Sequence, residues 1–330
     1  MLNIISDFIK GILPTKKKTT PSGWTSFNGV CCPHNGESAD TRGRGGLTAN
    51  PDGSVSYHCF NCNFKASYQP GRHLTFKFRK LLKWLGADDT DIKRLVIEAI
   101  RVRELVAPEE VKAEAEEEKI EFKARDLPDD AVNLVALDYV HPALEYCVAR
   151  KIDLDKYAFY ATRQEQYNLH KRIIIPFVWQ GQTIGYTARA IEENVKPKYH
   201  SNYEPNFVFN TNNQLADSKF VIVCEGPFDA MSIDGVAVLN NECNETQADI
   251  IESLGKEVIV VADRDRAGAR MINNAIEYGW TVSFPVWLET CKDINEAVVK
   301  YGKLFVLKTI LDAKHSSKLK IELMKKKLYN

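Results

Sequence analysis

Two unbroken apolar runs, Phe220-Val221-Ile222-Val223-Cys224 and Val258-Ile259-Val260-Val261-Ala262, constrain this chain more than any other feature. Each has strand length, is rich in β-branched residues, and is followed by polar residues and then helical periodicity. A strand that is apolar throughout has to be covered on both faces, which predicts a parallel sheet packed between helices. In such sheets functional side chains stand just beyond the carboxyl ends of the strands. Here acids stand there: Glu225-Gly226-Pro227-Phe228-Asp229 after the first run, Asp263-Arg264-Asp265-Arg266-Ala267-Gly268 after the second. Glu225 and Asp229 lie one helical turn apart, and Asp263 and Asp265 alternate in an extended segment, so each pair aims one way. Clustered carboxylates raise one another's pKa unless a cation neutralises them. Mg²⁺ or Mn²⁺ does so while keeping open positions for phosphate oxygens. Asp293, in Lys292-Asp293-Ile294-Asn295, is a third anchor whose register the sequence does not fix.

A second metal pattern lies near the N-terminus. Cys31 and His34, and Cys59 and Cys62, each have the two-residue spacer that lets one tight turn present two ligands to zinc. Cys32 stands only two positions from His34 and is assigned as a neighbour, with His58 and His73 in reserve. Four ligands leave no open position, so the Zn²⁺ is expected to be structural, one per chain, holding together a ribbon with little core of its own. Between the pairs, Thr41-Arg42-Gly43-Arg44-Gly45-Gly46 offers cations on flexible backbone, and Tyr57, Phe60 and Phe64 alternate with polar residues. Cations interleaved with aromatics suit single-stranded nucleic acid; the alternative is that the rings pack on the following helix. Cys147, Cys224, Cys243 and Cys291 are scattered, as expected of buried thiols in a reducing compartment.

With 330 residues the chain is long for a single core, and its 44 basic residues balance its 44 acidic ones. The charges are sorted, however. Residues 1–102 carry +7 (15 basic, 8 acidic), 103–130 carry −6 (5 and 11), 131–220 carry +1 (10 and 9), 221–312 carry −7 (8 and 15), and 313–330 carry +5 (6 and 1). The basic ends suit phosphate backbones and the acidic segment suits cations. The expected organisation is a zinc-binding module over 1–102, an acidic flexible linker over 103–130, a mixed α+β basic subdomain over 131–218, a catalytic α/β domain over 219–300, and a basic helical tail over 301–330. Helical spacing in Leu81, Leu82, Leu85, Ile92, Leu95 and Val96 backs the zinc module with helices. Ile173 to Val178 reads as a strand ending near Pro176, with a second strand after Gln180-Gly181-Gln182. The N-terminal Met1 to Lys10 segment carries Asp7 where a secretory core would be apolar, and no run is long enough for a membrane span. Both point to the cytoplasm.

Taken together, Cys-x-x-His…Cys-x-x-Cys, Glu225-Gly226-Pro227-Phe228-Asp229 and Asp263-Arg264-Asp265 resemble the bacterial and bacteriophage replicative DNA primases, in which a zinc-binding domain precedes a Toprim-type polymerase core. His141-Pro142-Ala143-Leu144-Glu145-Tyr146-Cys147-Val148-Ala149-Arg150 and Lys292-Asp293-Ile294-Asn295-Glu296 are most similar to the short, stand-alone phage members. The resemblance implies templated synthesis of short RNA primers on single-stranded DNA. It implies Glu225, Asp263 and Asp265 as catalytic, metal-holding acids with Asp229 and Asp293 assisting. It implies that Arg172, Arg189 and Lys198 touch the triphosphate or nascent strand, and that Arg42, Arg44, Tyr57 and Phe60 touch template. Ribonucleoside triphosphates are the implied substrates. The implied location is the cytoplasm, the host's if the chain is phage-encoded. The chain has no Gly-x-x-x-x-Gly-Lys-Ser/Thr loop, so the replicative helicase is expected on a separate chain. Two rivals use the same residues: a Toprim-type metal-dependent nuclease, and a non-catalytic zinc-dependent single-stranded nucleic-acid-binding accessory protein.

Overall fold

The computed structural model describes residues 3–105, 120–137, 139–287 and 291–329. The chain divides into two compact units, Met1–Lys119 and Ile120–Asn330.

The first unit is an antiparallel five-stranded sheet, β1 (Lys18–Thr19), β2 (Thr25–Phe27), β3 (Gly45–Ala49), β4 (Val55–Cys59) and β5 (Lys65–Tyr68), in sequential order. Around it lie α1 (Ile4–Ile12), α2 (Phe76–Trp84) and α3 (Asp89–Leu105). Alternation along β4 turns Val55, Tyr57 and Cys59 inward, so one face of a short strand feeds the core and also delivers a thiol. The unit has more core than the sequence implies. Ile5 and Ile9 of the amphipathic α1 are buried with Phe27, Leu47, Leu74, Phe78, Leu81 and Leu95. Thr75 caps α2 by accepting from Phe78 N–H at 3.3 Å.

The second unit begins earlier than expected. Phe122 is buried, its ring centroid 5.2 Å from Trp179 and 5.7 Å from Phe207. The Arg125 N–H donates to the Thr183 carbonyl at 3.2 Å. Helix α3 in turn runs past residue 103. What is left of the expected 103–130 linker, 106–119, lies outside the described residues.

The unit's first sheet holds β6 (Val132–Asn133), β7 (Tyr160–Ala161), β8 (Arg172–Trp179), β9 (Gln182–Ala190) and β10 (Tyr199–Tyr203), ordered β10-β9-β8-β7-β6 and antiparallel, with α4 (Pro142–Ala149) between β6 and β7 in the chain. β8 and β9 close on a two-residue turn, Gln180 (φ 49°) and Gly181 (φ 82°), both left-handed as a right-twisted hairpin requires. β8 does not end at Pro176. β7 pairs with it only at Tyr160↔Ile174, so at Pro176 the strand has a neighbour on one side alone and tolerates the missing N–H.

The second sheet is the expected parallel one. β11 (Phe220–Cys224), β12 (Val236–Ala237), β13 (Glu257–Val260) and β14 (Thr281–Ser283) run parallel in the order β12-β11-β13-β14. They alternate with α5 (Pro227–Ile233), α6 (Glu245–Ser253), α7 (Gly268–Tyr278) and α8 (Ile294–Tyr301). The stretch after Tyr301 is no appended tail. Helix α9 (Lys303–Asp312) buries Val306 and Ile310, β15 (Lys314–His315) closes the sheet antiparallel to β14, and α10 (Lys318–Tyr329) packs on α7. No helix among the described residues is long and apolar enough to cross a membrane.

Candidate metal centres

The sulfur site is built at the end of β4 and in a single 3₁₀ turn over Cys32–His34, started by Pro33. Cys31 already has helical backbone (φ −84°, ψ −18°). Successive side chains therefore diverge by a little over a right angle instead of pointing to opposite faces, and two adjacent cysteines reach one point. The ligand atoms of Cys31, Cys32, Cys59 and Cys62 all lie within 4.8 Å of one another, with Cys31 Sγ 3.2 Å from Cys62 Sγ and Cys32 Sγ 3.5 Å from Cys59 Sγ. His34 is not among them. It is exposed and stacks on Trp84, centroids 4.8 Å apart and rings 4° from parallel. The expected Cys31, His34, Cys59, Cys62 set is thus corrected to four cysteines, and the reserve histidines His58 and His73 stay outside it. Tyr57 Oη lies 3.3 Å from Cys31 Sγ, and Asn61 Nδ2 donates to Cys32 Sγ at 3.3 Å, supporting the sulfurs from outside. Gly29 is the only residue that fits beside them, because a Cβ there would stand 2.6 Å from Cys59 Sγ. Its N–H donates to Asp40, whose buried carboxylate also accepts from Arg42 N, Arg44 N and Arg44 Nε. Despite its burial, these donors hold the Asp40 carboxyl well below the usual range. Desolvation pushes the Cys31 thiol up and the Cys32 thiol to about 11. Four crowded, soft donors fit Zn²⁺, which deprotonates and separates them.

The acids occupy the carboxyl ends of adjacent parallel strands. β11 and β13 pair through Val223↔Val260, and Val261 N–H donates to the Val223 carbonyl, so Glu225 and Asp263 emerge side by side. Asp263 N–H donates to Glu225 Oε1 at 3.2 Å. Asp229, buried in the first turn of α5, accepts from Asn295 N–H at 2.9 Å. Asp293 caps α8 by accepting from Glu296 N–H, and Asp265, exposed, spends one oxygen on the N–H groups of Ala267 and Gly268. Two glycines make this packing fit. A Cβ at Gly226 would lie 2.8 Å from Asp229 Oδ2, and one at Gly268 would lie 2.2 Å from the Asp263 carbonyl. Burial, reinforced by Asp265 and Asp229, raises the Glu225 pKa to about 7. Burial together with Glu225, Asp293 and Asp265 raises Asp263 to about 8, and Asp229 stands well above its ordinary value through burial, Asp293 and Asp263. Among the described residues only the cysteines form a closed ligand group; the carboxylates are more open. Mutually opposed carboxylates in an open arrangement fit Mg²⁺, which retains waters and needs few protein ligands.

Facing these acids are two of the three expected cations. Arg189 is buried. It donates to the hydroxyls of Tyr146 and Tyr199, and its guanidinium lies 5.1 Å from the ring centroids of Tyr199 and Phe228. Lys198 is exposed; desolvation and Arg189 lower its pKa, and the charges of Asp293 and Asp229 oppose that shift. Arg172 is different. It is fully buried, with Nε donating to the Tyr167 carbonyl at 3.1 Å and Nη1 to those of Ala188 and Lys198 at 3.4 and 3.3 Å. It cannot touch substrate in this position and instead anchors the backbone that presents Lys198.

Residues 222–298 match the Toprim-like family. A DNA primase of Aquifex aeolicus is 25% identical over 152 residues, 40% of this chain and 30% of that protein. Over that stretch the chain is similar to a DNA primase. The match spans under a third of the relative's length. Among solved structures, the zinc-binding and RNA polymerase domains of the Aquifex aeolicus primase are similar over 94% of this chain and 83% of theirs, at 18% identity and TM-score 0.46. The RNA polymerase domain of the Mycobacterium tuberculosis primase is similar over 54% and 77%, at 17% identity and TM-score 0.45.

The four residues expected to touch template do not share one surface role. Arg42 is exposed, and Phe60 is 66% exposed, its ring centroid 6.1 Å from Trp24 and 4.3 Å from His58. Arg44 is tied to Asp40. Tyr57 is buried at 2% and turned to Cys31, so it cannot stack on a base. Trp24 and His58 were not legible as members of this cluster, although one signal exists: Gly46, across the sheet, leaves room for the Trp24 ring, which a Cβ would meet at 2.3 Å.

Proposed function

We propose that this chain is a DNA primase, a DNA-templated RNA polymerase that makes short primers on single-stranded DNA by metal-dependent nucleotidyl transfer. The observation that carries the reading is that Arg189, held by Tyr146 and Tyr199 and lying against Phe228 beside Asp229, and Lys198 both interact electrostatically with the acids, Arg189 with Asp229 and Lys198 with Asp229, Asp263 and Asp293. A hydrolase acting through the same acids has no need to hold a nucleoside triphosphate, whereas a polymerase does. In this reading a 3′-oxygen bonds to the α-phosphorus of the incoming ribonucleotide, the bond to the β-phosphate breaks, and pyrophosphate leaves. Mg²⁺ or Mn²⁺ on Glu225, Asp263 and Asp265, with Asp229 and Asp293 assisting, supplies charge neutralisation at that phosphorus when bound. Arg189, fixed by two tyrosine hydroxyls, and Lys198 hold the triphosphate or nascent strand. Arg172 acts from behind them.

One Zn²⁺ per chain on Cys31, Cys32, Cys59 and Cys62 maintains the first unit. Phe60, Trp24 and Arg42 offer a ring platform and a cation to unstacked template bases and their phosphates. The expected partners are single-stranded DNA, ribonucleoside triphosphates and a separate replicative helicase, in the cytoplasm of the cell or of a phage host. The test is incubation of the purified chain with single-stranded DNA, labelled ribonucleotides and Mg²⁺. Short labelled oligomers support the proposal; shortening of the DNA without them favours the nuclease.

A further inference from the structure

We propose that Asn295 is a positioning residue that sets the spacing between the acids and the opposing cations, an inference that rests on the function proposed above. Asn295 is 1% exposed, in the first turn of α8, and its backbone N–H and side-chain amide are spent on α5 and on Arg150 at the end of α4. Its backbone N–H donates to Asp229 Oδ1 at 2.9 Å. Its Nδ2 donates to the Arg150 carbonyl at 2.9 Å and to Ser232 Oγ at 2.7 Å, and its Oδ1 accepts from Arg150 Nη1 at 2.6 Å. One amide thus joins the end of α4, the last turn of α5 and the start of α8. Both amide hydrogens are committed, and the oxygen is held by a charged donor.

The consequence lies at the rings. Arg150 sits 4.9 Å from the Tyr146 centroid and 5.5 Å from that of Phe228, and Arg189 lies against the same two rings at 5.7 and 5.1 Å. Fixing Arg150 fixes this stack, and with it Arg189, relative to the carboxylate of Asp229. No other side chain reproduces the pattern. Aspartate lacks the donors, serine cannot span them, and glutamine is one methylene too long for the same contacts. Asp293 caps the same helix, so α8 keeps its start when the Asn295 side chain changes, and the loss is local.

The test measures binding of ATP with Mg²⁺ by calorimetry to the full chain, as wild type, Asn295→Ala, Ser232→Ala and Val298→Ala. Val298 is buried in the same helix without a part in the amide network, and its truncation controls for lost stability. Asn295→Ala is expected to weaken ATP binding by about fivefold or more, the worth of one lost hydrogen bond, while Val298→Ala lowers the thermal midpoint but leaves affinity unchanged. Should Asn295→Ala fail to fold, Ser232→Ala is expected to weaken ATP binding in the same direction, and an unchanged affinity there overturns the proposal. Equal affinities for Asn295→Ala and Val298→Ala also overturn it. A wild type that binds ATP while Asn295→Ala is unaffected removes this inference alone; a wild type that neither binds ATP nor makes primers removes the function reading with it.

Discussion

Replacing Cys32 separates the sulfur site seen in the structure from the one the ligand spacing suggests. Structural zinc contributes about 10–16 kcal/mol of apparent binding energy. Spread over four sulfur ligands, that is roughly 2.5–4 kcal/mol for each, or about two to three orders of magnitude in affinity. Cys32→Ser should therefore lose zinc to a chromophoric chelator at concentrations that leave the wild type loaded. The first unit should unfold with it, because the metal is the common point of the Cys31 and Cys32 turn and the end of β4. His34→Ala removes only a stacked partner of Trp84, worth about 0.5–1.5 kcal/mol, and should keep its zinc. The assay is metal content and chelator competition on both variants, with thermal unfolding of the first unit followed by circular dichroism. Full zinc in Cys32→Ser, or loss of zinc in His34→Ala, would refute the four-cysteine assignment.

Three further outcomes follow from the packing. Arg172→Met leaves the carbonyls of Tyr167, Ala188 and Lys198 without their donor and should cost about 3 kcal/mol in denaturant unfolding of the second unit; a stability change near zero with selective loss of nucleotide binding would show that Arg172 touches substrate after all. Asp234 accepts from Lys156 and Lys303, which hold its carboxyl below the usual range although its partial burial opposes this; a lowered folded-state pKa adds stability above the unfolded carboxylate value that disappears as pH falls through the folded one. Asp234→Asn should thus cost about 1 kcal/mol at pH 7 and nothing well below pH 4, and a penalty that persists in acid would contradict the ion-pair account. A chain starting at Ile120 should extend an annealed primer yet fail to start one, and a chain starting at Ala131 should be less stable by about 3 kcal/mol for want of Phe122; equal initiation and extension by the longer fragment would make the zinc unit a prop and not the template reader.

The parallel sheet and its acids were legible because burial on both faces leaves a run of apolar residues, and a chain reversal after each run leaves the acids at its end. The hairpin at Gln180-Gly181 was legible for a similar reason, since few residues tolerate two left-handed positions. Cys32 was not: a two-residue spacer is satisfied by both Cys31 with His34 and by other pairings, and only the helical backbone at Cys31 turns neighbouring thiols to one side. Arg172 reads as exposed because it is a cation in a strand, while here three carbonyls take the bonds of its Nε and Nη1 and its Nη2 is buried without a hydrogen-bond partner. The last thirty residues looked like a basic tail because β15 has only two residues and the many lysines of the segment mask the buried Val306 and Ile310 of α9. Asn295 left no periodic or spacing signal; its role exists only once α4, α5 and α8 have come together.

Primer synthesis itself bears most directly on the central claim. The purified chain, given single-stranded DNA, ribonucleoside triphosphates and Mg²⁺, should yield short, alkali-sensitive products complementary to the template, and Asp263→Ala should yield none while melting no earlier than the wild type, since removing one of several opposed carboxylates relieves repulsion. Undiminished synthesis by Asp263→Ala, or a wild type that makes no such product, would contradict the account.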